Sequence, residues 1–303
     1  MQLHFVTVDV FASDQFGGNP VAVVLNAQGL DARQMQAIAM EFNLSETTFV
    51  FPPQDNENTA NVRIFTPRAE MPFAGHPNIG TAFVLAQVGE SYGKLIADDD
   101  VTFEELAGLV HIDFLKQGRS VVGARLAAPQ PFSAGETFSA ETIAECCGMA
   151  PDDIVTVGHA PCLVSCGTPF VVAEVASREV LASASPRSEA FARRLPGEKA
   201  VGVMLYVQAS ANAADVQCRM FAPLFGVSED PATGSAAVAL VGLLASLDPR
   251  SDGTIEKIFA QGFEMGRPSL LYASAYKAAG SVTATYVGGK CVPVMHGIVE
   301  LNN

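Results

Sequence analysis

The sequence predicts an α+β fold built from two similar halves, and three observations support this prediction. Short β-branched and aromatic runs alternate with a few amphipathic stretches, without the regular strand–helix alternation of a nucleotide-binding sheet. A five-residue signature in the first third of the chain recurs in its second half. The length of 303 residues suits two ordinary domains.

The charge and hydropathy exclude several classes of protein. Lys and Arg total 18 against 32 Asp and Glu, which gives a net charge of −14, so phosphate backbones and anionic membranes repel the chain. The longest apolar stretch, residues 236–245, is shorter than the roughly 20 residues that span a membrane. No signal-peptide pattern is present at the N-terminus. We therefore expect a protein that binds neither nucleic acid nor membrane.

The cysteines and histidines predict neither a disulfide framework nor a metal site. The six cysteines are scattered without a C-x-x-C pair, and the five histidines form no pair with ligand spacing. This cysteine usage fits a reducing compartment, and we expect a cytoplasmic location. We expect no metal and no other cofactor.

The first 51 residues predict strands at 3–11 and 21–25, separated by a turn rich in Gly, Asn and Pro. A helix is predicted from Asp31, because apolar residues recur at helical spacing along one face, at Met35, Ile38, Ala39 and Phe42. Asn43 is placed to cap its end. Residues 44–51 then return to a strand pattern.

The repeated signature is R-x-F-x-P, found at residues 63–67 and again at 219–223, which is 156 residues later. An acidic residue follows each copy, Glu70 in the first and Glu229 in the second. A period of half the chain indicates two similar domains. We place the first domain at residues 1–122 plus 282–303 and the second at 123–281.

Each copy of the signature also leads to a glycine that opens an apolar helix, Gly75 in the first half and Gly234 in the second. Both helices are apolar nearly all round, so each is expected to be buried in its own domain. Free amides and the helix dipole make such helix starts favourable for anions. Two of them facing an interdomain cleft would hold a carboxylate from both sides. The alternative is that the glycines only open helices.

Four side chains near these features are candidates for chemistry. Glu46 lies in a strand pattern entering apolar surroundings, where desolvation raises a carboxyl pKa toward values useful in acid–base catalysis; the alternative is an exposed edge glutamate. Asp230 is either a catalytic carboxylate or a charge at a helix N-terminus, and His76 is either a group titrating near neutrality or a structural histidine. Ser235 lacks a G-x-S-x-G elbow, which argues against a serine hydrolase.

Taken together, these motifs resemble the phenazine-biosynthesis F (PhzF-like) family. Residues 43–49 (NLSETTF) and 229–236 (EDPATGSA) are similar to family segments. So are residues 73–77, 80–82, 18–23 and 261–269. The matches run from residue 16 to about 270, and no motif is placed between about 120 and 200.

The resemblance implies a diaminopimelate-epimerase-like fold, in which two pseudo-symmetric domains each wrap a sheet around a central helix. It also implies that the glutamate at position 46 moves a proton without a cofactor, as in the family member that isomerises a dihydro-hydroxyanthranilate. The residues implied to line the cleft are Ser45, Gly75, His76, Asp230, Gly234 and Ser235. The family's relatives suggest a homodimer.

Related epimerases and racemases use two cysteines, and here the matching positions are Ala74 and Thr233. Neither side chain exchanges a proton with carbon, and no cysteine lies within ten residues of Gly75 or Gly234. The sequence therefore predicts a cofactor-independent isomerase of a small amino-acid-like carboxylate, with Glu46, His76 and Asp230 as its catalytic residues. Two alternatives are a non-catalytic relative that binds a ligand or protein, and a cysteine-dependent epimerase that thiol alkylation would inactivate.

Overall fold

The structure is a computed structural model that describes residues 1–96, 99–195, 197–208 and 214–301. The chain divides into two compact units, a first unit of Met1–Leu126 with Gly288–Asn303 and a second unit of Ala127–Val287. The described residues form twenty strands and six α-helices, which confirms the predicted α+β class. The predicted domain boundaries, after residues 122 and 281, stay a prediction.

The first unit contains ten strands, two helices and the last part of strand β20 (Ser281–Glu300). Its strands are β1 (Gln2–Val10), β2 (Asn19–Val24), β3 (Glu46–Phe51), β4 (Ala60–Phe65), β5 (Glu70–Met71), β6 (Glu90–Ser91), β7 (Lys94–Leu95), β8 (Asp100–Glu105), β9 (Gly108–Gln117) and β10 (Ser120–Ala127). Its helices are α1 (Ala32–Phe42) and α2 (Gly75–Val88).

In the first unit the strands wrap around α2. The order β1-β2-β3-β4-β8-β9-β10 is antiparallel except for the parallel pairs β2–β3 and β4–β8. Strand β20 pairs with both β1 and β10, so the row of strands closes on itself. Helix α2 packs inside, against β1, β2, β3 and β9. Gly80 permits this close packing, because a Cβ there would lie 2.5 Å from Val21 Cγ1.

The second unit contains nine complete strands, the first part of β20, and four helices. Its strands are β11 (Ser133–Thr137), β12 (Ile154–Val155), β13 (Cys162–Ser165), β14 (Pro169–Val175), β15 (Gly202–Gln208), β16 (Val216–Ala222), β17 (Val227–Asp230), β18 (Gly253–Gln261) and β19 (Ser269–Ala278). Its helices are α3 (Ala140–Cys147), α4 (Arg178–Ser183), α5 (Ser188–Arg194) and α6 (Gly234–Leu247).

The strand order of the second unit repeats that of the first. The row β13-β14-β15-β16-β18-β19 is antiparallel except for the parallel pairs β14–β15 and β16–β18. Helix α6 packs against β13, β14, β18 and β19 and is buried along most of its length, as α2 is in the first unit. No helix among the described residues is long and apolar enough to cross a membrane.

Helix α1 confirms the local sequence signals. Asp31 is its N-cap and forms a capping box with Gln34, in which each side chain bonds the other's backbone N–H. Asn43 ends the helix in the left-handed region with φ 50°. Met35, Ile38 and Ala39 are buried on the predicted face, and this end of the helix leads directly into β3.

The R-x-F-x-P signature has the same structural role in both units. Arg63 in β4 forms a bidentate pair with Glu70 in β5, at 2.6 and 2.7 Å. Arg219 in β16 forms the same pair with Glu229 in β17, at 2.8 Å for both contacts. Each guanidinium also lies over the phenylalanine two residues later, at 5.4 Å in the first unit and 4.9 Å in the second. Each pair fixes the short strand that leads toward a central helix.

Candidate active site

Glu46 is the first residue of β3, an interior strand paired with β2 on one side and β4 on the other. Its Cα partner is Val21 of β2. The side chain is only 17% exposed, so the alternative of an exposed edge glutamate is wrong. Ser45, which directly precedes it, is partly buried.

His76 is the second residue of α2 and lies next to Glu46. Its Nε2 is 3.2 Å from Glu46 Oε2, and the histidine side chain is 9% exposed. Its ring also donates a hydrogen bond to the Pro20 backbone carbonyl. Burial lowers the pKa of His76 to about 3, although this hydrogen bond opposes the shift. The imidazole is therefore neutral near pH 7, so burial does not support titration near neutrality, one of the two interpretations that the sequence left open for His76.

Because His76 is neutral, a hydrogen bond between Glu46 and His76 can have only one direction. One ring nitrogen of a neutral imidazole donates and the other accepts, and the ring donates to Pro20. The nitrogen that faces Glu46, Nε2, makes no hydrogen bond within the described structure, so Nδ1 is the nitrogen that donates to Pro20 and Nε2 is left as an acceptor. A protonated Glu46 carboxyl can donate to it.

The start of α2 lies beside this pair. Its N-cap is Ala74, whose side chain makes no capping hydrogen bond, so the first-turn amides are not satisfied by their N-cap side chain. A Cβ at Gly75 would meet nothing within 4 Å. Gly75 is therefore not required by close packing.

In the second unit, Asp230 ends β17 and lies before the start of α6. Thr233, the N-cap of α6, donates a hydrogen bond from Oγ1 to Asp230 Oδ2. Gly234 is the buried first residue of the helix and Ser235, the second, is partly buried. Asp230 thus ends a strand and is hydrogen-bonded to the N-cap of α6, and its catalytic role stays a prediction.

The structure brings the predicted residues together within each unit. Glu46 and His76 are in contact in the first unit, next to Ser45 and Gly75 in the chain. In the second unit, Asp230 is linked through Thr233 to the helix start at Gly234 and Ser235.

Two residues that the sequence did not single out, Thr233 and Gln261, are hydrogen-bonded to Asp230. Gln261 Nε2 donates to the Asp230 backbone carbonyl at 2.8 Å and to Thr233 Oγ1 at 3.1 Å. In the sequence, Thr233 stands at the position of an absent cysteine, and Gln261 lies in a segment similar to the family. A glutamine directly after the apolar run of residues 258–260 is the signal that could have identified Gln261.

The six cysteines are free and buried. Burial raises the pKa of the Cys146, Cys162 and Cys166 thiols, and it raises that of Cys146 to about 11. Because the thiolate is the reactive form, we expect iodoacetamide at pH 7 to leave turnover of the native protein unchanged, measured against an untreated sample. Loss of turnover at the same rate as alkylation of the thiols would favour the cysteine-dependent epimerase instead.

One buried carboxyl of the first unit lies outside the predicted residues. Both side-chain oxygens of Glu105 are buried, and burial raises its pKa to about 8, against a smaller opposing effect of the Asn78 side chain. Its contribution to stability is fully present below its ordinary pKa of 4.5 and is lost as the pH rises to about 8.

We therefore expect Glu105→Gln to raise the free energy of unfolding at pH 8 by on the order of 2–4 kcal/mol and to change it little at pH 4. Urea unfolding of both proteins at pH 4, 6 and 8 measures this difference. An equal difference at all three pH values would contradict the assignment of the effect to ionisation.

Comparison with known proteins identifies similar chains along nearly the whole length. The family model described as phenazine biosynthesis-like protein matches residues 8–297. A trans-2,3-dihydro-3-hydroxyanthranilate isomerase of Pseudomonas chlororaphis is 35% identical over 300 residues, which is 98% of this chain and 99% of that protein.

Two solved structures are similar in fold. The Bacillus anthracis phenazine biosynthesis protein of the PhzF family has a TM-score of 0.89 at 24% identity, covering 99% of this chain and 100% of that chain. A hydroxyproline epimerase of Agrobacterium vitis has a TM-score of 0.66 at 14% identity, covering 98% of this chain and 91% of that chain. The predicted diaminopimelate-epimerase-like fold is confirmed by these likenesses.

Proposed function

This chain belongs to the PhzC-PhzF family of phenazine biosynthesis-like proteins, and from that premise we propose how it acts. It is an isomerase, as its relatives at 34–37% identity are named. The proposal is that it moves a proton between two carbons of a small amino-acid-like carboxylate, without a cofactor. Its substrate would be trans-2,3-dihydro-3-hydroxyanthranilate or a close analogue, which is the substrate in the name of the Pseudomonas chlororaphis relative.

The observation that carries this proposal is the contact between Glu46 and a neutral His76. Glu46 takes the proton from one carbon and returns it to another, acting first as base and then as acid. While Glu46 holds the proton, its O–H can donate to His76 Nε2, 3.2 Å away. His76 thereby stabilises the protonated intermediate form of the carboxyl without taking a charge itself.

The helix starts supply the electrostatic part of the proposal. As the proton leaves carbon, negative charge develops on the substrate, and amides at a helix N-terminus stabilise such charge. Gly75 in the first unit, and Gly234 and Ser235 in the second, are assigned to the substrate carboxylate. Ser45 is assigned to substrate binding by its place beside Glu46, and Asp230 to orienting the substrate's amino or hydroxyl group.

The proposal extends to assembly and location. We expect a cytoplasmic homodimer that acts on a small molecule and binds no nucleic acid. The net charge of −14 supports the expectation that it binds no nucleic acid, and the six free cysteines support the cytoplasmic location. Light scattering coupled to size exclusion tests the dimer, and a monomer at micromolar concentration would contradict it.

Proton NMR in deuterated buffer tests the reaction class. The wild-type protein is mixed with trans-2,3-dihydro-3-hydroxyanthranilate, and we expect the substrate to disappear while deuterium appears at the receiving carbon. Saturable binding of the compound without conversion or deuterium uptake would instead support the non-catalytic relative. Conversion with no proton transfer to carbon would contradict the proposed chemistry.

A further inference from the structure

The second unit contains a hydrogen-bonded chain of three side chains that ends at Asp230. Gln261 is 1% exposed and lies at the end of β18. Its Nε2 donates to Thr233 Oγ1 at 3.1 Å, and Thr233 Oγ1 donates in turn to Asp230 Oδ2. The proposed mechanism gives no role to the family segment at residues 261–269. This segment nevertheless contacts Asp230, to which the mechanism does give a role.

The orientation of the Gln261 amide is fixed by its partners. Its Oε1 accepts a hydrogen bond from the Thr233 backbone N–H at 3.1 Å, while its Nε2 donates to the Asp230 backbone carbonyl at 2.8 Å. Exchanging the two ends of the amide would place a donor against a donor and an acceptor against an acceptor. One orientation alone satisfies both backbone groups.

The orientation of the Gln261 amide sets the direction of both hydrogen bonds, from Gln261 to Thr233 and from Thr233 to Asp230. A threonine hydroxyl has one proton to donate. Because Gln261 Nε2 donates to Thr233 Oγ1, the hydroxyl proton is directed to Asp230 Oδ2. The Asp230 oxygen is consequently held as an acceptor, and the carboxylate cannot rotate without losing this hydrogen bond.

The rest of the 261–269 segment holds the same loop. Gly262 has φ 78°, and a Cβ there would come within 2.6 Å of the Pro231 carbonyl oxygen, so the segment approaches the loop more closely than a larger residue allows. Ser269 Oγ donates to the Pro231 carbonyl at 2.9 Å. The backbone on both sides of Pro231 is thus fixed by this segment.

We infer that Gln261 and Thr233 are positioning residues for the isomerisation, because together they hold the Asp230 carboxylate in one orientation and as a hydrogen-bond acceptor. This inference rests on the proposed function, which places Asp230 at the substrate. Neither residue needs to touch the substrate. Their effect is on the reaction step, since a displacement of about 1 Å in a catalytic group costs about 100-fold in rate.

Two variants interrupt the chain at different points. Thr233→Val removes the hydroxyl with little change in volume. Gln261→Glu keeps the acceptor for the Thr233 N–H but replaces the donor by a second carboxylate, which competes with Asp230 for the single hydroxyl proton. We expect each to lower kcat by about 10–100-fold, with KM changed by less than about threefold.

Two further variants separate positioning from packing. Thr233→Ser restores the hydroxyl and should keep kcat within about threefold of wild type. Thr285→Val is the matched control, because Thr285 is a buried threonine of the same unit whose hydroxyl bonds Cys166; we expect its kcat to be unchanged.

The outcomes distinguish this inference from the proposed function. If wild type turns over, Asp230→Asn is inactive, and both Thr233→Val and Gln261→Glu retain wild-type kcat, then the positioning inference is wrong and the proposed function stands. If wild type shows no turnover, the proposed function fails, and a crystal structure of Thr233→Val decides the positioning. An Asp230 carboxylate that keeps its orientation in that variant overturns the inference.

Discussion

Glu46→Gln is expected to lose turnover by about 10²–10⁴-fold, the usual contribution of a general acid–base group. The amide keeps the size of the carboxyl but cannot take a proton from carbon. It can still donate to His76 Nε2, which lies 3.2 Å from the carboxyl oxygen, so the local structure should persist. Steady-state kinetics with the dihydro-hydroxyanthranilate measures the loss, and KM should change much less than kcat.

Glu41→Gln is the matched control for this variant. Glu41 is an exposed glutamate near the end of α1, five positions before Glu46, and the same change there should leave kcat unaffected. Equal melting temperatures of the two variants would show that the loss is chemical. If the turnover rate of Glu46→Gln is within a few-fold of the wild-type rate, Glu46 is not the catalytic acid–base group.

Arg219→Met is expected to lower the free energy of unfolding by about 3–5 kcal/mol, the usual effect of removing one partner of a buried ion pair. Arg219 is 8% exposed and forms its bidentate pair with Glu229. Its Nη1 also donates to three backbone carbonyls at and after α4, those of Leu181, Ala182 and Ala184. Urea unfolding of the variant measures the loss.

The first unit supplies the comparison for Arg219. Arg63 makes the same pair with Glu70 but is 29% exposed, so water screens the charge that its loss leaves behind. Arg63→Met should cost only about 1–2 kcal/mol. Adding Glu229→Gln to Arg219→Met should recover part of the stability, since it removes the unpaired carboxylate. A double variant no more stable than Arg219→Met would contradict this explanation.

Local signals in the sequence were sufficient to predict much of the fold. The capping residues Asp31 and Asn43 and the apolar spacing between them predicted α1 correctly. The glycines at 75 and 234 predicted where the two central helices begin. These features depend on residues within one or two helical turns, and such short-range determinants can be read directly from the chain.

The repeat is informative for a different reason. R-x-F-x-P is a short pattern, and its residues meet their partners only when the next strand folds back, as Arg63 meets Glu70 and Arg219 meets Glu229. The sequence showed an acidic residue after each copy but not that it pairs with the arginine. The strand order common to the two units likewise depends on long-range pairing, which no local pattern specifies.

The candidate site could be predicted in part. Glu46 and His76 were identified separately, and their contact results from the packing of α2 against β3, which brings together residues 30 positions apart. The neutral state of His76 was not predicted, because it depends on burial. The contact of Gln261 with Thr233 could not be predicted, because it joins residues 28 positions apart in the chain.

The central claim is that Glu46 removes a proton from carbon, and a single-turnover measurement with labelled substrate tests it most directly. The substrate carries deuterium at the donor carbon, and excess wild-type protein and excess Glu46→Gln are each mixed with it in ordinary water. We predict that proton NMR shows the label leaving the donor carbon with wild type, more slowly than protium leaves the unlabelled compound, and remaining in place with Glu46→Gln. Loss of the label at the wild-type rate in the presence of Glu46→Gln would contradict the account.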